Sequence, residues 1–222
     1  RRDDLIDSGL SGNKAYKLFY NLRAARDAGH SRLLSFGGAY SNHLHALAIA
    51  GVRYGFTTLG VIRGERPEYL SPTLKDAEQA GMQLIFISRE EYQRKTFTGL
   101  LEEWSSRFGD FYLIPEGGAG LLGARGMTVT GRALEEQLKG DYTAVCVACG
   151  TGTSLAGLAA GLTVAGRGDK PALGFSVLKG DGDLGTGIAE TYRQLCANKD
   201  EFSVNGQGDA ANWRLISGFH PG

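Results

Sequence analysis

The chain has 222 residues, of which 42% are hydrophobic and 22% charged, so it is long enough to bury a substantial core. Its 24 Lys and Arg residues balance 24 Asp and Glu residues, which argues against binding nucleic acid or a membrane surface through overall charge. No apolar run approaches the ~20 residues of a membrane span, and the opening residues show no signal-peptide pattern. Three cysteines are too few and too irregular for a disulfide framework, so we expect a cytoplasmic protein.

Short apolar runs alternate with longer segments of helical periodicity along the chain. The predicted helices are Lys14–Ala28, a helix from Ser41 or Asn42 to about Ala50, Ser71–Ala80, Arg94–Phe108, Met127–Leu138, a helix of small residues ending near Leu162, and Thr186–Leu195. The predicted strands are Arg32–Phe36, Gly55–Arg63, Gln83–Ile87, Phe111–Pro115, Thr143–Ala148, Leu173–Leu178 and Trp213–Ile216. This alternation predicts an α/β fold, in which parallel strands carry helices on both faces.

Three glycine-bearing turns follow predicted strands: Gly37-Gly38, Gly117-Gly118 and Gly150-Thr151-Gly152-Thr153. In parallel sheets, ligands bind beyond the carboxyl ends of the strands, so these turns are candidate binding loops. The last turn has the features of a phosphate cradle, because glycines expose backbone N–H groups at a helix start and Thr hydroxyls can donate hydrogen bonds. It matches neither a Walker A loop nor a complete dinucleotide fingerprint. A tight turn with an ordinary cap would also explain it.

Lys14 follows Ser11-Gly12-Asn13 at the predicted start of the first helix. A helix start favours an anion, so a lysine placed there reaches its neutral amine form more easily. A nucleophilic lysine needs this neutral form. Lys17 lies one turn further along the same face, where it could meet a phosphate. On these residues alone, two solvated lysines are the simpler explanation.

Ser41-Asn42-His43 follows the Gly37-Gly38 turn. A helix N-cap accounts for part of this polar run, but it contains more polar groups than a cap needs. His43 and His45 have no carboxylate or cysteine at ligand spacing, so no metal site is predicted.

Cys146 and Cys149 match a C-x-x-C pattern by letter only. Because Cys146 falls within a predicted strand, the two side chains should point to opposite faces of the sheet. A redox or zinc site is therefore not expected, and we interpret Cys146 as a core residue and Cys149 as a loop residue.

Taken together and in this order, the motifs resemble those of the D-cysteine desulfhydrase and 1-aminocyclopropane-1-carboxylate (ACC) deaminase family of fold type II pyridoxal-phosphate enzymes. The segments that carry the resemblance are Arg2-Asp3-Asp4 with Ser11–Leu18, Ser35–His43, Ile114–Gly118, Gly150–Gly157 and Ser176–Gly180. They are spread over nearly the whole chain. The resemblance implies two three-layer α/β domains with the cofactor in the cleft between them. It assigns residues 1–40 and 122–222 to the larger domain and residues 41–121 to the smaller, inserted one.

The resemblance also implies a role for individual residues. Lys14 corresponds to the lysine that carries pyridoxal phosphate (PLP) covalently and is expected to act as the base. Lys17 and the Gly150, Thr151, Gly152 and Thr153 loop correspond to phosphate contacts, and Asn42 to the residue that binds the ring hydroxyl. Ser41 corresponds to a catalytic residue beside the substrate carboxylate, so that Ser41, Asn42 and His43 together are expected to contact the substrate.

His43 bears on the choice of substrate, because the desulfhydrase-like branch of the family carries His after Ser-Asn, whereas ACC deaminases tend to carry Gln. The resemblance therefore favours conversion of D-cysteine to pyruvate, sulfide and ammonia, with conversion of ACC to 2-oxobutanoate and ammonia as the alternative. Members of the family are commonly homodimers. They extend before Arg1 and beyond Gly222, so a truncated chain that binds PLP without catalysis is a further alternative. A nucleotide- or sugar-phosphate-binding domain, based on the Gly150 turn alone, is the weakest one.

Overall fold

The structure, a computed structural model, describes residues 2–5, 7, 9–10, 12–95, 98–177, 183–197 and 211–218. Ser11 of the first motif, Leu178-Lys179-Gly180 of the last one and the Phe219–Gly222 end lie outside the described residues. The chain forms two compact units, Arg1–Gly118 and Ala119–Gly222.

The first unit is an α/β unit built around a parallel sheet of four strands in the order β3-β2-β1-β4. A short 3-10 turn at Asp3–Leu5 precedes its elements, and another at Glu116–Gly118 follows them. The elements are α1 (Lys14–Asp27), β1 (Arg32–Gly37), α2 (Asn42–Tyr54), β2 (Thr57–Arg63), α3 (Pro72–Gln79), β3 (Gln83–Ile87), α4 (Arg89–Gln93), α5 (Thr98–Phe108) and β4 (Tyr112–Leu113).

The core of the first unit is divided into two layers, because side chains along each strand point alternately to the two faces of the sheet. Leu33 of β1 packs with the apolar faces of α1, α2 and α3, whereas its neighbour Leu34 packs on the opposite side with Trp104 of α5. Successive strand residues point to opposite faces, so each face of this sheet receives its own set of helices. The predicted parallel α/β arrangement is thus confirmed in this unit.

The helix predicted at Arg94–Phe108 begins only at Thr98, as α5, and a short helix that was not predicted, α4, precedes this range. Ser88 begins α4 with a capping box: its hydroxyl accepts the Glu91 N–H at 3.1 Å, and the Glu91 carboxylate accepts the Ser88 N–H at 2.9 Å. The Ser-x-x-Glu spacing that specifies this start is visible in the sequence.

The second unit contains a parallel sheet of three strands in the order β5-β6-β7. Its elements are α6 (Leu121–Leu138), β5 (Val145–Cys149), α7 (Thr153–Val164), β6 (Ala172–Ser176), α8 (Leu184–Ala197) and β7 (Trp213–Ile216). Residues of all three helices and of the strands contribute to one shared core. Helix α7 is buried over almost its whole length, which explains why its sequence consists mainly of small and apolar residues.

The interpretation of the cysteines was wrong in both cases. Cys146 is exposed on β5, and Cys149 is the buried last residue of the same strand. The predicted strand ended too early, at Ala148, and Cys149 packs into the core of the second unit. The two side chains still differ in burial, as expected for strand residues three apart.

The two compact units divide the chain once, between Gly118 and Ala119. Residues 1–40 lie in the same unit as residues 41–118, because β1 forms a continuous hydrogen-bonded ladder with β2, from Arg32 opposite Thr57 to Gly37 opposite Ile62. The division of the chain into residues 1–40 with 122–222 and residues 41–121 stays a prediction. Among the helices of the described residues, none combines the length and apolarity of a membrane span.

Candidate active site

Lys14 is the first residue of α1, as predicted. It follows Gly12, whose φ of 66° turns the chain into the helix, and Asn13, whose side chain does not cap the helix. The Lys14 side chain is half-buried, and this burial lowers the pKa of its amine. The amine makes no hydrogen bond to any described residue. Lys14 thus has the environment that favours a neutral, nucleophilic amine.

Lys17, one turn further along α1, is buried, with only 4% of its surface exposed. Its Nζ lies 3.5 Å from the carbonyl oxygen of Gly117. This carbonyl belongs to the Glu116–Gly118 turn, where Gly117 and Gly118 adopt left-handed φ values of 69° and 66°. The carboxylate of Glu116 binds Lys95 at 3.1 Å. The interpretation of Lys14 and Lys17 as two solvated lysines is therefore wrong for Lys17.

Ser41 begins α2 as its N-cap, because its Oγ accepts the Leu44 N–H at 3.3 Å. Gly37 makes room for this cap: a β-carbon at Gly37 would lie 2.5 Å from Ser41 Oγ. Asn42, the next residue, is exposed at the first helical position. The predicted cap is thus confirmed at Ser41, while the roles of Ser41 and Asn42 toward substrate and cofactor stay predictions.

His43, in contrast, lies inside the first unit and is only 2% exposed. Its Nε2 is 2.9 Å from Oγ of Ser35, whose hydroxyl donates to the Ile114 carbonyl at 2.7 Å. Burial, followed by the positive charges of Lys14 and Lys17, lowers the pKa of His43 from its usual value to about 3. His43 is therefore neutral near pH 7 and lies within electrostatic range of both lysines.

Ser35 is a residue that the motif contained but to which the sequence reasoning gave no role. The signal available in the sequence was a serine within the apolar run Arg32–Phe36, which predicts a buried strand. Ser35 is indeed fully buried, and a buried polar group needs a hydrogen-bond partner. The partner Ile114 is 79 positions away in the sequence, so only the folded chain identifies it.

The Gly150–Thr153 loop lies in the second unit, between β5 and α7. Gly152 is the N-cap of α7 with a left-handed φ of 74°, and no side chain caps this helix start. The hydroxyls of Thr151 and Thr153 are 3.0 Å apart, with Thr151 exposed and Thr153 buried. A glycine cap places no side chain over the start of this 12-residue helix, which suits an anion such as a phosphate.

The predicted site residues are thus distributed over two units. Lys14, Lys17 and His43 form one electrostatically coupled cluster in the first unit, and Ser41 and Asn42 precede His43 in the same turn. The predicted phosphate loop belongs to the second unit.

Comparison with known proteins identifies relatives over most of the chain. A Thermotoga maritima protein with the provisional name 1-aminocyclopropane-1-carboxylate deaminase is 34% identical over 167 residues, which cover 73% of this chain and 53% of that protein. The mitochondrial bifunctional D-cysteine desulfhydrase/1-aminocyclopropane-1-carboxylate deaminase of Arabidopsis thaliana is 31% identical over 176 residues, which cover 72% of this chain and 44% of that protein. The chain thus spans about half the length of these relatives. No protein-family model matches it.

Comparison with solved structures points to the same family as these relatives. The crystal structure of an ACC deaminase homologue superposes with a TM-score of 0.81 at 25% identity and covers 98% of this chain and 65% of that one. A Thermus threonine deaminase, at 22% identity and a TM-score of 0.57 over 75% of this chain and 51% of that one, shows the same fold. The chain therefore belongs to the family that includes the ACC deaminases and D-cysteine desulfhydrases.

Proposed function

We propose that the chain is part of a PLP-dependent lyase or deaminase that acts on a small amino acid, with Lys14 as the residue that binds the cofactor covalently. The observation that carries this proposal is the state of Lys14: a half-buried amine whose pKa is lowered by burial and which makes no hydrogen bond to a described residue. A lysine that attacks an aldehyde must be neutral, and burial favours that form.

The residues of the chain fit this cofactor. Lys14 would hold it covalently, and Lys17 and the Gly150–Thr153 loop would bind its phosphate. Asn42 would bind the ring hydroxyl, since its side chain is exposed at the start of α2. The uncapped, glycine-led start of α7 supports the phosphate assignment independently of the family names.

When bound, PLP supplies an electron sink for the charge that remains on the substrate when its α-proton leaves. The proton needs an acceptor, and Nζ of Lys14 is the candidate base because its pKa lies below that of an ordinary lysine. Ser41 would bind the substrate carboxylate; its hydroxyl hydrogen remains available, because Oγ only accepts the Leu44 N–H.

The finer choice of substrate also belongs to the proposal. His43 after Ser41-Asn42 favours D-cysteine, with pyruvate, sulfide and ammonia as products, over ACC, with 2-oxobutanoate and ammonia. The Arabidopsis relative carries both activities in its name, so it is compatible with either substrate. Sulfide release from D-cysteine and 2-oxobutanoate formation from ACC, measured on the same preparation, decide between them.

The test of the proposal is covalent capture of the cofactor. The purified chain is mixed with PLP, reduced with borohydride and digested, and mass spectrometry locates the modified lysine. We expect Lys14 to carry the modification and Lys14→Ala to abolish specific uptake, while Lys75→Ala, at an exposed position of α3, leaves uptake unchanged. Modification spread over surface lysines, or unchanged uptake by Lys14→Ala, would refute the proposal.

A second candidate is a chain that binds PLP without turnover. Product formation by chain that has taken up PLP at Lys14 would refute this candidate. The homodimer that the resemblance implies is tested on the same preparation by light scattering.

A further inference from the structure

Arg63 is the last residue of β2 and lies at the carboxyl edge of the first sheet. The β2 residue before it pairs with Gly37, which brings Arg63 beside Gly38. A β-carbon at Gly38 would lie 3.9 Å from Nη2 of Arg63, and Cζ of Arg63 is 5.7 Å from the centroid of the Tyr92 ring. The buried Tyr92 ring thus supports an exposed guanidinium group next to the glycine turn.

The positive charge of Arg63 has no acidic partner in the part of the chain that the structure describes. Arg63 forms neither an ion pair nor a hydrogen bond with any described residue. Lys95 is the second cation over the Tyr92 ring, with Nζ 4.5 Å from the centroid, and it is paired with the Glu116 carboxylate at 3.1 Å. The guanidinium of Arg63 therefore carries the charge of this cluster that is not paired.

Arg66, three positions further along the chain, provides a matched comparison. It is also exposed and also lies over an aromatic ring, with its Cζ 5.3 Å from the centroid of Phe86. Unlike Arg63, however, Arg66 binds a carboxylate, that of Glu78, at 2.8 Å. Stacking on a ring is thus common to both arginines, and the difference between them is that only Arg66 has its anion within the described chain.

The space beside Gly38 is open. Apart from its neighbours in the chain, Nη2 of Arg63 is the only described atom within 4 Å of the position that a β-carbon at Gly38 would take. The turn is held by two hydrogen bonds, because the Ser41 N–H donates to the Gly38 carbonyl at 3.1 Å and the Ser71 hydroxyl donates to the Ala39 carbonyl. A ligand can therefore approach this turn closely, with the guanidinium at its side.

Ser41 and Arg63 reach this edge from opposite faces of the sheet. Ser41 caps α2, which packs in the layer of α1 and α3, and its Oγ would lie 2.5 Å from a β-carbon at Gly37. Tyr92, which supports Arg63, packs in the other layer with α5. Gly37 and Gly38 thus separate the two polar groups, so a ligand that lies over these glycines can meet a hydroxyl at one end and a guanidinium at the other.

Building on the proposed function, in which Ser41 binds the α-carboxylate of the substrate, we propose that Arg63 binds an anionic group on the substrate side chain. A guanidinium presents several N–H donors to an anion, and Arg63 gives up no ion pair with a described residue when it binds one. The substrate class is therefore a small amino acid with a negatively charged side-chain group, which includes D-cysteine in its thiolate form. ACC has only a hydrocarbon ring and offers no such group to Arg63.

The first experiment measures the labelling of individual arginines by phenylglyoxal, followed by peptide mass spectrometry. The probes are D-aspartate, whose side chain ends in a carboxylate, and D-asparagine, whose side chain has nearly the same shape without the charge. We expect D-aspartate, but not D-asparagine, to slow the labelling of Arg63, while neither probe affects Arg66. Labelling of Arg63 that is the same with both probes, in the absence and in the presence of PLP, would overturn the proposal.

The second experiment compares the affinities for the same two probes by titration calorimetry. The wild-type chain should bind D-aspartate about fivefold more tightly than D-asparagine, as expected for one exposed ion pair. Arg63→Gln should abolish this preference, whereas Arg63→Lys keeps the charge and should keep the preference. Arg66→Gln is the matched control and should bind both probes like the wild-type chain. An unchanged preference in Arg63→Gln would contradict the assignment of Arg63.

Kinetics of the chain loaded with PLP then test the choice of substrate. Arg63→Gln should raise KM for D-cysteine about fivefold and leave KM for ACC unchanged. An equal change for both substrates would refute a role for Arg63 in specificity. Because Arg63→Gln retains Lys14, it should take up PLP as the wild-type chain does. Failed PLP uptake by the wild-type chain would overturn the proposed function, whereas labelling and calorimetry test Arg63 without PLP.

Discussion

Gly157 of α7 lies directly against the backbone of Ala124 in α6. A β-carbon at Gly157 would overlap the Ala124 carbonyl oxygen and would lie 2.5 Å from Cβ of Met127. The two helices of the second unit therefore approach each other more closely than any residue with a side chain would allow at this position.

Gly157→Ala should lower the free energy of unfolding of the chain by about 2 kcal/mol, because the added methyl group forces the two helices apart. Gly187→Ala is the matched control, since Gly187 is exposed in α8 and a β-carbon there would meet no described atom within 4 Å. It should raise the stability by up to ~1 kcal/mol, through helix propensity. Urea denaturation followed by circular dichroism measures both. A loss of stability in both variants would contradict this account of Gly157.

Gly152→Ala should destabilise the second unit and weaken binding of the cofactor phosphate. Gly152 has a φ of 74°, and a β-carbon there would also lie 2.5 Å from Cγ1 of Ile188. The left-handed conformation alone costs an alanine about 1–2 kcal/mol. Thermal unfolding and PLP titration measure the two effects.

Gly150→Ala distinguishes the two interpretations of the Gly150–Thr153 loop, a phosphate-binding site and an ordinary turn. A β-carbon at Gly150 would meet no described atom within 4 Å, so the free energy of unfolding should change little. If the loop holds a phosphate closely, the methyl group should still reduce the affinity for PLP, by about tenfold for a loss of ~1.4 kcal/mol. Unchanged affinity in this variant would favour the ordinary turn.

The buried His43 should make the protein less stable in acid. Its pKa is lowered to about 3 in the folded chain, mainly by burial and also by the charges of Lys14 and Lys17. The unfolded chain binds a proton below pH ~6.5, whereas the folded chain does not do so until pH approaches 3. Between these values the free energy of unfolding should fall by about 1.4 kcal/mol per pH unit as pH decreases.

His43→Gln removes this titration. Denaturation of both proteins at pH 7 and pH 5 isolates the contribution of His43, because other titrating groups cancel in the difference. The variant should lose less stability than the wild-type chain between the two pH values. An equal loss would mean that His43 is protonated in the folded protein.

Ser41→Ala should have a structural and a functional effect. Loss of the cap over the Leu44 N–H should cost about 1 kcal/mol of stability. Ser71→Ala is the control, since Ser71 caps α3 in the same way and also donates to the Ala39 carbonyl. Only Ser41→Ala should reduce turnover, by about tenfold for the loss of one hydrogen bond to the substrate. Equal turnover in the two variants would leave Ser41 as a cap alone.

Local patterns in the sequence were sufficient to predict most helices and strands and the local structure around Lys14 and Ser41. Each predicted strand is present, the fourth shortened to Tyr112–Leu113, because apolar runs of strand length encode a buried parallel strand. The N-cap at Ser41 and the position of Lys14 at a helix start follow from residues within a few positions of each other. The start of α4 at Ser88 could have been predicted in the same way.

Other features depend on contacts between residues that are far apart in the sequence. From the sequence alone, Lys17 is compatible with a solvated lysine. In the folded chain, the carbonyl oxygen of Gly117, 100 positions away, lies beside its amine. Cys146 and Cys149 both lie on β5, and only the packing of the helices against the sheet decides which of them is buried.

The sequence by itself thus determined the order and approximate position of most helices and strands, which turns carry glycine, and where Lys14 stands in its helix. Only the tertiary structure decided which polar groups are buried and which groups they form hydrogen bonds with. Periodicity and capping are local properties, whereas the contact of Lys17 and the hydrogen bonds of the Ser35–His43 pair depend on carbonyl groups that folding brings from distant parts of the chain.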